Sequence, residues 1–145
     1  MPLELLIFVG LQAAGKSTYY HAHLAATHVH VSKDLMKNTR DRNARQQQLI
    51  EAALRTGKSV AVDNTNATPE VRAPLIGLGR QLGARVVACF FETTVKDAVA
   101  RNRLREGKAR VPDVVIYVAA RKLVAPSIAE GFDEIRVIAP LPGIA

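Results

Sequence analysis

Residues 4 to 24 read ELLIFVGLQAAGKSTYYHAHL. Six strand-forming residues, Glu4 to Val9, break at Gly10 into a loop of small residues, and a helical pattern begins at Lys16. Gly10 to Ser17 fits G-x-x-x-x-G-K-[ST] with a strand before and a helix after, the context that this phosphate-binding motif requires. The backbone N–H groups of Gly10, Leu11, Gln12, Ala13, Ala14 and Gly15, added to the positive end of the helix dipole, form an anion cradle without using any side chain. Within it, Lys16 is expected to reach the β- and γ-phosphates, Ser17 to ligate Mg²⁺, and Thr18 to bond a nearer phosphate oxygen. ATP and Mg²⁺ are thus the expected cofactors. The loop alone fits a switch, a motor or a kinase equally well.

Outward from the loop, apolar runs at 4–9, 28–32, 59–63, 85–91 and 134–138 alternate with helical patterns near 16–26, 33–56, 68–82, 94–105 and 112–123. Such alternation is the signature of βα units and a parallel sheet. The strands are continuous apolar runs, so helices are expected on both sheet faces. Gly57 and Gly83 sit where helices should stop, and Thr68-Pro69-Glu70 reads as an N-cap, a first-turn proline and a first-turn acid. No linker or repeat divides the 145 residues, and one domain over 1–145 is expected, with a frayed Pro/Gly-rich tail.

Twenty Lys and Arg against 13 Asp and Glu give a net charge of +7. That balance suits a polyanionic partner, although a cationic surface alone explains it as well. Cys89 is the sole cysteine, which excludes an internal disulfide or a cysteine-based zinc cluster and suits a reducing cytoplasm. Its setting, RVVACFFE, reads as a buried strand. The chain has neither a signal-peptide pattern nor the roughly 20 apolar residues of a membrane span, so a soluble cytoplasmic protein is expected.

Two carboxylates follow two strands. Asp34 comes after the second in HVSKDLMK, and Asp63 ends the third in VAVDNTN. Carboxyl ends of strands in an open parallel sheet face the ligand crevice, which aims both acids at the bound phosphates. Phosphoryl transfer to a hydroxyl needs a group to orient the acceptor and take its proton, while metal and cations absorb the charge on the transferred group. Asp34 is assigned as the acceptor-side base, with a helix N-cap as its plainer alternative. Asp63 is assigned as the nucleotide-side acid, holding a magnesium-bound water or a catalytic arginine. Asn64, Thr65 and Asn66 lie in the next strand-to-helix loop, where turn chemistry would also favour them.

A basic run, VARNRLREGKARVP, follows the fourth strand. Arg101 and Arg105 stand four apart, hence on one helical face, and read as a lid over the triphosphate at about 101–112. Arg105 is the first choice for a catalytic cation, and Arg101 for the nucleotide. His28 and His30 share one strand face, and His21 and His23 diverge on a helix. With no flanking acids in sequence, all four read as surface or partly buried side chains rather than ligands.

GLQAAGKST, VSKDLMK, VAVDNTNATPEVR, RNRLREGKARVP and RKLVAPSIAEGF together resemble, in the same order, the polynucleotide 5′-hydroxyl kinases that heal DNA and RNA ends. The resemblance implies an adenylate-kinase-like P-loop NTPase fold, an α/β three-layer sandwich with a parallel five-stranded sheet in the order 2-3-1-4-5. It implies transfer of the ATP γ-phosphate to a nucleic-acid 5′-OH, with Asp34 as the base and Asp63, Asn64, Asn66 and Arg105 matching family positions. Lys37 falls where the family places an arginine that grips the acceptor phosphate; it keeps the charge and loses the planar fork. Ser32-Lys33 likewise departs from the family's Asn-Arg. The chain lacks the Asp-x-Asp-x-Thr motif of the family's phosphatase domain and is expected to be a stand-alone kinase unless excised from a larger protein.

Two other readings stay open on residues alone. A small-molecule kinase of the same fold would need an enclosed acceptor pocket, against which the Arg40, Arg42 and Arg45 cluster argues unless it is only an exposed helix face. A non-catalytic, ATP-gated nucleic-acid-binding module would keep the loop and dispense with Asp34.

Overall fold

A computed structural model describes residues 2–36 and 38–139. Five strands form one parallel sheet: β1 (Glu4–Val9), β2 (His28–Val31), β3 (Ser59–Val62), β4 (Arg85–Phe91) and β5 (Glu134–Ile138), in the spatial order β2-β3-β1-β4-β5. This is the order that the resemblance implies. The first strand is central, with Ile7 opposite Val62 on one side and Ala88 on the other.

Every residue of β1 from Leu5 to Val9 is wholly buried because both faces of the sheet are covered. Leu5, Ile7 and Val9 pack with Ile50 and Leu54 of α2 (Arg42–Arg55), Leu75 and Ile76 of α3 (Pro69–Gln81), and Phe132. Leu6 and Phe8 point the other way, to Tyr20 of α1 (Lys16–His23), Leu24 and Cys89. The alternation follows from the two-residue period of a strand, and its double burial from the crossover helices. A third cluster joins α4 (Val95–Arg103) to α5 (Asp113–Lys122) through Val99 and Ile116, with Leu11 of the glycine loop at its centre. The loop is therefore wedged between sheet and helices.

Thr68 caps α3 as read, its hydroxyl accepting from the Val71 N–H at 3.3 Å. Two expected segments change. The single helix expected over 33–56 is a 3₁₀ turn, Lys33–Leu35, followed by α2 only from Arg42. Met36 leaves the helical region at ψ 61° and Asn38 takes a left-handed φ of 63°, after which Asp41 starts the helix afresh by accepting from the Ala44 N–H. The helix expected to carry both Arg101 and Arg105 ends at Arg103. Arg105 thus stands in the following loop, and the shared-face argument does not apply to it.

Cys89 is buried as expected, and burial pushes its thiol up to about 12. Among the described residues, no helix is long and apolar enough to cross a membrane. The tail beyond Ala139 lies outside the described residues.

Candidate active site

The loop between β1 and α1 folds as its small residues permit. Ala13 and Gly15 both take left-handed φ values, 63° and 94°, turning successive N–H groups inward as an anion nest at the mouth of α1. Ala13 holds this conformation without being glycine, a cost that structures retain where a ligand is to be gripped. The Gly10 N–H donates to the Thr65 carbonyl at 3.1 Å, and the Gln12 amide to the Thr65 hydroxyl at 3.4 Å. The DNTN loop is thus the second wall of the cradle.

Lys16 bends back over the loop, its Nζ 2.8 Å from the carbonyl oxygens of both Gly10 and Leu11. Burial pulls its pKa down to about 8, against the pull of Asp63; the Arg105 charge lowers it further and the Asp34 charge raises it. Three charged side chains from three other segments therefore act on Lys16. Ser17 donates from Oγ to Asp63 Oδ2 at 2.7 Å, while Ser17 and Thr18 themselves are exposed at the mouth. Burial alone would raise the Asp63 carboxyl, but bonds from His30 and Ser17, and then the Lys16 charge, hold it below its ordinary value. A low-lying, acceptor-only carboxylate beside a serine hydroxyl supplies hard oxygen donors, the kind that Mg²⁺ prefers. Among the described residues, no group of three or more His, Cys, Asp or Glu could hold a metal. An ion here would rely on phosphate oxygens and water for most of its shell, as Mg²⁺ in phosphate sites does.

Asp34 is exposed in the 3₁₀ turn after β2. Its plainer alternative as a cap does not apply, because the capping hydroxyl is that of Ser32, which accepts from the Asp34 N–H at 3.3 Å. Asn64 holds that turn in place. Its Oδ1 accepts from the Lys33 N–H at 2.9 Å and its Nδ2 donates to Gln46 of α2 at 2.7 Å. A cleft of about 280 Å³ opens beside the turn, lined by His30, Ser32, Leu35, Met36, Arg45 and Leu49. A larger cavity of about 520 Å³ lies at the opposite, N-terminal end of the strands, around Glu4 and His28, away from the loop.

Asn66, which matches a family position, is turned inward. It is buried, takes φ 45°, and donates from Nδ2 to the Phe8 carbonyl at 2.7 Å, while its own carbonyl accepts from Arg72. Lys37 lies outside the described residues. Arg101 is half-buried in α4, and Arg105, also half-buried, donates to the Ala109 carbonyl at 3.3 Å. Buried Asn102 fixes the turn of that loop: its Nδ2 donates to the Val111 carbonyl at 2.6 Å and its Oδ1 accepts from the Val111 N–H at 3.0 Å.

The sequence points to no acid partner for the histidines, and for two of them the fold supplies one from another segment. His28 Nε2 lies 2.7 Å from Glu4, and His30 Nε2 lies 2.8 Å from Asp63 Oδ2. Pairing in parallel register, with His30 opposite Ala61, brings His30 beside the end of β3. A sequence scan for neighbouring acids has no access to that register.

A family model described as AAA_33, an AAA domain, matches residues 5–124. The chain belongs to that family. This AAA_33 domain has the ATP-binding P-loop kinase fold. It is 27% identical over 142 residues to a putative bifunctional polynucleotide phosphatase/kinase of Acanthamoeba polyphaga mimivirus, covering 93% of this chain and 33% of the relative. The chain thus spans about a third of the length of the curated relatives it matches. A fungal RNA kinase superposes with a TM-score of 0.73 at 14% identity, over 97% of this chain and 39% of that one. A gluconokinase from Sinorhizobium meliloti 1021 superposes at 0.67 and 16%, over 97% and 84%. Likenesses at these identities establish a common kinase fold.

Proposed function

We propose that this AAA_33 domain is a polynucleotide 5′-hydroxyl kinase, moving the γ-phosphate of ATP to the 5′-OH of DNA or RNA. The observation that carries the reading is that Asp34 stands in the turn whose Ser32 and Leu35 line an arginine-bearing cleft, within electrostatic reach of Lys16. Asp34 takes the proton of the attacking hydroxyl as the new O–P bond forms and the bond to the ADP oxygen breaks. Ser17 would hold Mg²⁺ and Asp63 a water bound to it, and the ion would neutralise charge on the phosphates. Arg105, in a lid over about 101–112, and Lys16 meet the charge on the transferred group. Asn64 positions the turn of Asp34, and Lys37 takes the neighbouring acceptor phosphate. The net charge of +7 and the similarity to phosphatase/kinases support a nucleic-acid acceptor.

The test is incubation with γ-labelled ATP and 5′-OH oligonucleotides beside free nucleosides and sugars. Label on oligonucleotides is expected, with Asp34→Asn lowering transfer by about 10² to 10⁴ while ATP still binds. Retained transfer in Asp34→Asn removes Asp34 as the base. Acceptor binding should weaken with salt at a log-log slope of about −0.7 per phosphate contact on a single strand, and a flat response counts against a polynucleotide.

One observation favours a second reading. A cleft of about 280 Å³ suffices for a single sugar or nucleoside, and the gluconokinase shares the fold. Label on a small hydroxyl compound and none on oligonucleotides would select it.

A further inference from the structure

His30 stands in the edge strand β2, HVHV, and its ring is fixed from two sides. It stacks on Tyr20 with ring centroids 4.0 Å apart and planes 15° from parallel. Tyr20 is itself buried, and its hydroxyl donates to the His28 carbonyl of the same strand. So held, His30 presents Nε2 to Asp63 Oδ2 at 2.8 Å, the same oxygen that accepts from Ser17 Oγ at 2.7 Å. The ring also lines the cleft beside Asp34. It therefore stands between the acceptor side and the nucleotide side.

We propose that His30 is a positioning residue for phosphoryl transfer, donating its Nε2 proton to Asp63 and so fixing the carboxylate oxygen to which Ser17 is bound. An ionised carboxylate can only accept, so both bonds run toward Asp63. The Ser17 hydroxyl proton is thereby committed to Asp63, and the lone pairs of its oxygen stay available to a cation. Asp63 is buried and ends β3, where its carboxylate could otherwise turn toward the Lys16 ammonium. His30 removes that freedom. The inference rests on the reading of Asp63 as the nucleotide-side acid.

Two variants and one spectrum test it. In the wild-type protein, long-range ¹H–¹⁵N spectra are expected to show the His30 ring proton on Nε2; a bare Nε2 overturns the proposal without any variant. Binding of a fluorescent ATP analogue is measured with and without Mg²⁺. His30→Leu is expected to weaken the Mg²⁺-dependent part by about 10- to 100-fold, the cost typical of losing an outer-shell partner. His30→Gln, whose amide can donate from a similar place, is expected to retain most of the Mg²⁺ response. A wild-type Mg²⁺ response in His30→Leu, or a Gln variant as impaired as the Leu variant, overturns it. None of these measurements uses an acceptor. Absence of label on oligonucleotides would therefore remove the polynucleotide reading while leaving the His30 result to stand or fall separately.

Discussion

Arg72 has no exposed surface and meets Glu130 side-on, Nε 2.8 Å from Oε1 and Nη2 2.9 Å from Oε2. Its remaining nitrogen donates to the carbonyls of Asn66 and Val124, each at 2.9 Å. Asn66 in turn donates to Phe8 at the end of β1. One guanidinium thus ties the DNTN loop, α3, the turn before β5 and the strand leading into the phosphate loop. Glu130 is held ready for it by the Ser127 N–H, and these bonds keep its carboxyl below the ordinary value despite burial.

Breaking that pair from the carboxylate side should be costly, because it leaves a buried, uncompensated guanidinium. Glu130→Ala is expected to lose about 3 to 5 kcal/mol in urea unfolding. Replacing both partners by apolar residues should lose much less. A Glu130→Ala loss below about 1 kcal/mol, the level of an exposed pair, would show that the bridge does not organise the loop.

The phosphate loop, the five strands and the placement of Asp34 and Asp63 after strand ends were legible because each rests on local pattern: a motif at fixed spacing, or a continuous apolar run followed by an acid. What escaped depends on contacts between distant segments. Arg72 reads in sequence as one more helix charge, and only the approach of residues 124–130 makes it a buried hub. His30 bonds not to Asp34, four residues on, but to Asp63, 33 residues away. The continuous helix expected over 33–56 missed a break of another kind: Met36 carries no turn signal, while Asn38 does and takes the left-handed conformation that asparagine tolerates.

Two glycines of α3 make a matched pair. A Cβ on Gly79 would stand 2.8 Å from Val86 Cγ2 and 2.9 Å from Leu5 Cδ2, whereas one on Gly77 would meet nothing within 4 Å. Gly79→Val is expected to lose about 1 to 3 kcal/mol by overpacking against the sheet. Gly77→Ala should gain about 0.5 to 1 kcal/mol through helix propensity. Thermal unfolding of the two variants reads both signs, and equal responses would refute the close packing of α3.

Arg105 and Arg103 lie two residues apart with different prospects. Arg103 pairs with Asp113 on the exposed surface at 3.0 Å, a contact worth about 0.2 to 1 kcal/mol. The Arg105 charge reaches Lys16. Arg105→Ala should lower kcat by about 10³ if it supplies the lid cation, and Arg103→Ala should leave kcat near the parent value. Equal effects would place the catalytic cation elsewhere.

Lys16 offers a pH test that needs no acceptor. Its pKa of about 8 in the free protein, set first by burial, means that the ammonium loses its proton progressively above that pH. A triphosphate brings negative charge to the site and favours the charged form, raising the pKa in the complex. Binding of ATP should therefore take up a proton at pH 9 and almost none at pH 6.5, where Lys16 is already charged; affinity should fall as pH rises through 8 and beyond. Calorimetry in buffers of different ionisation enthalpy counts that proton directly. A proton count that is the same at both pH values would show that Lys16 is fully charged before the nucleotide arrives, and Lys16→Met should abolish any uptake that is found.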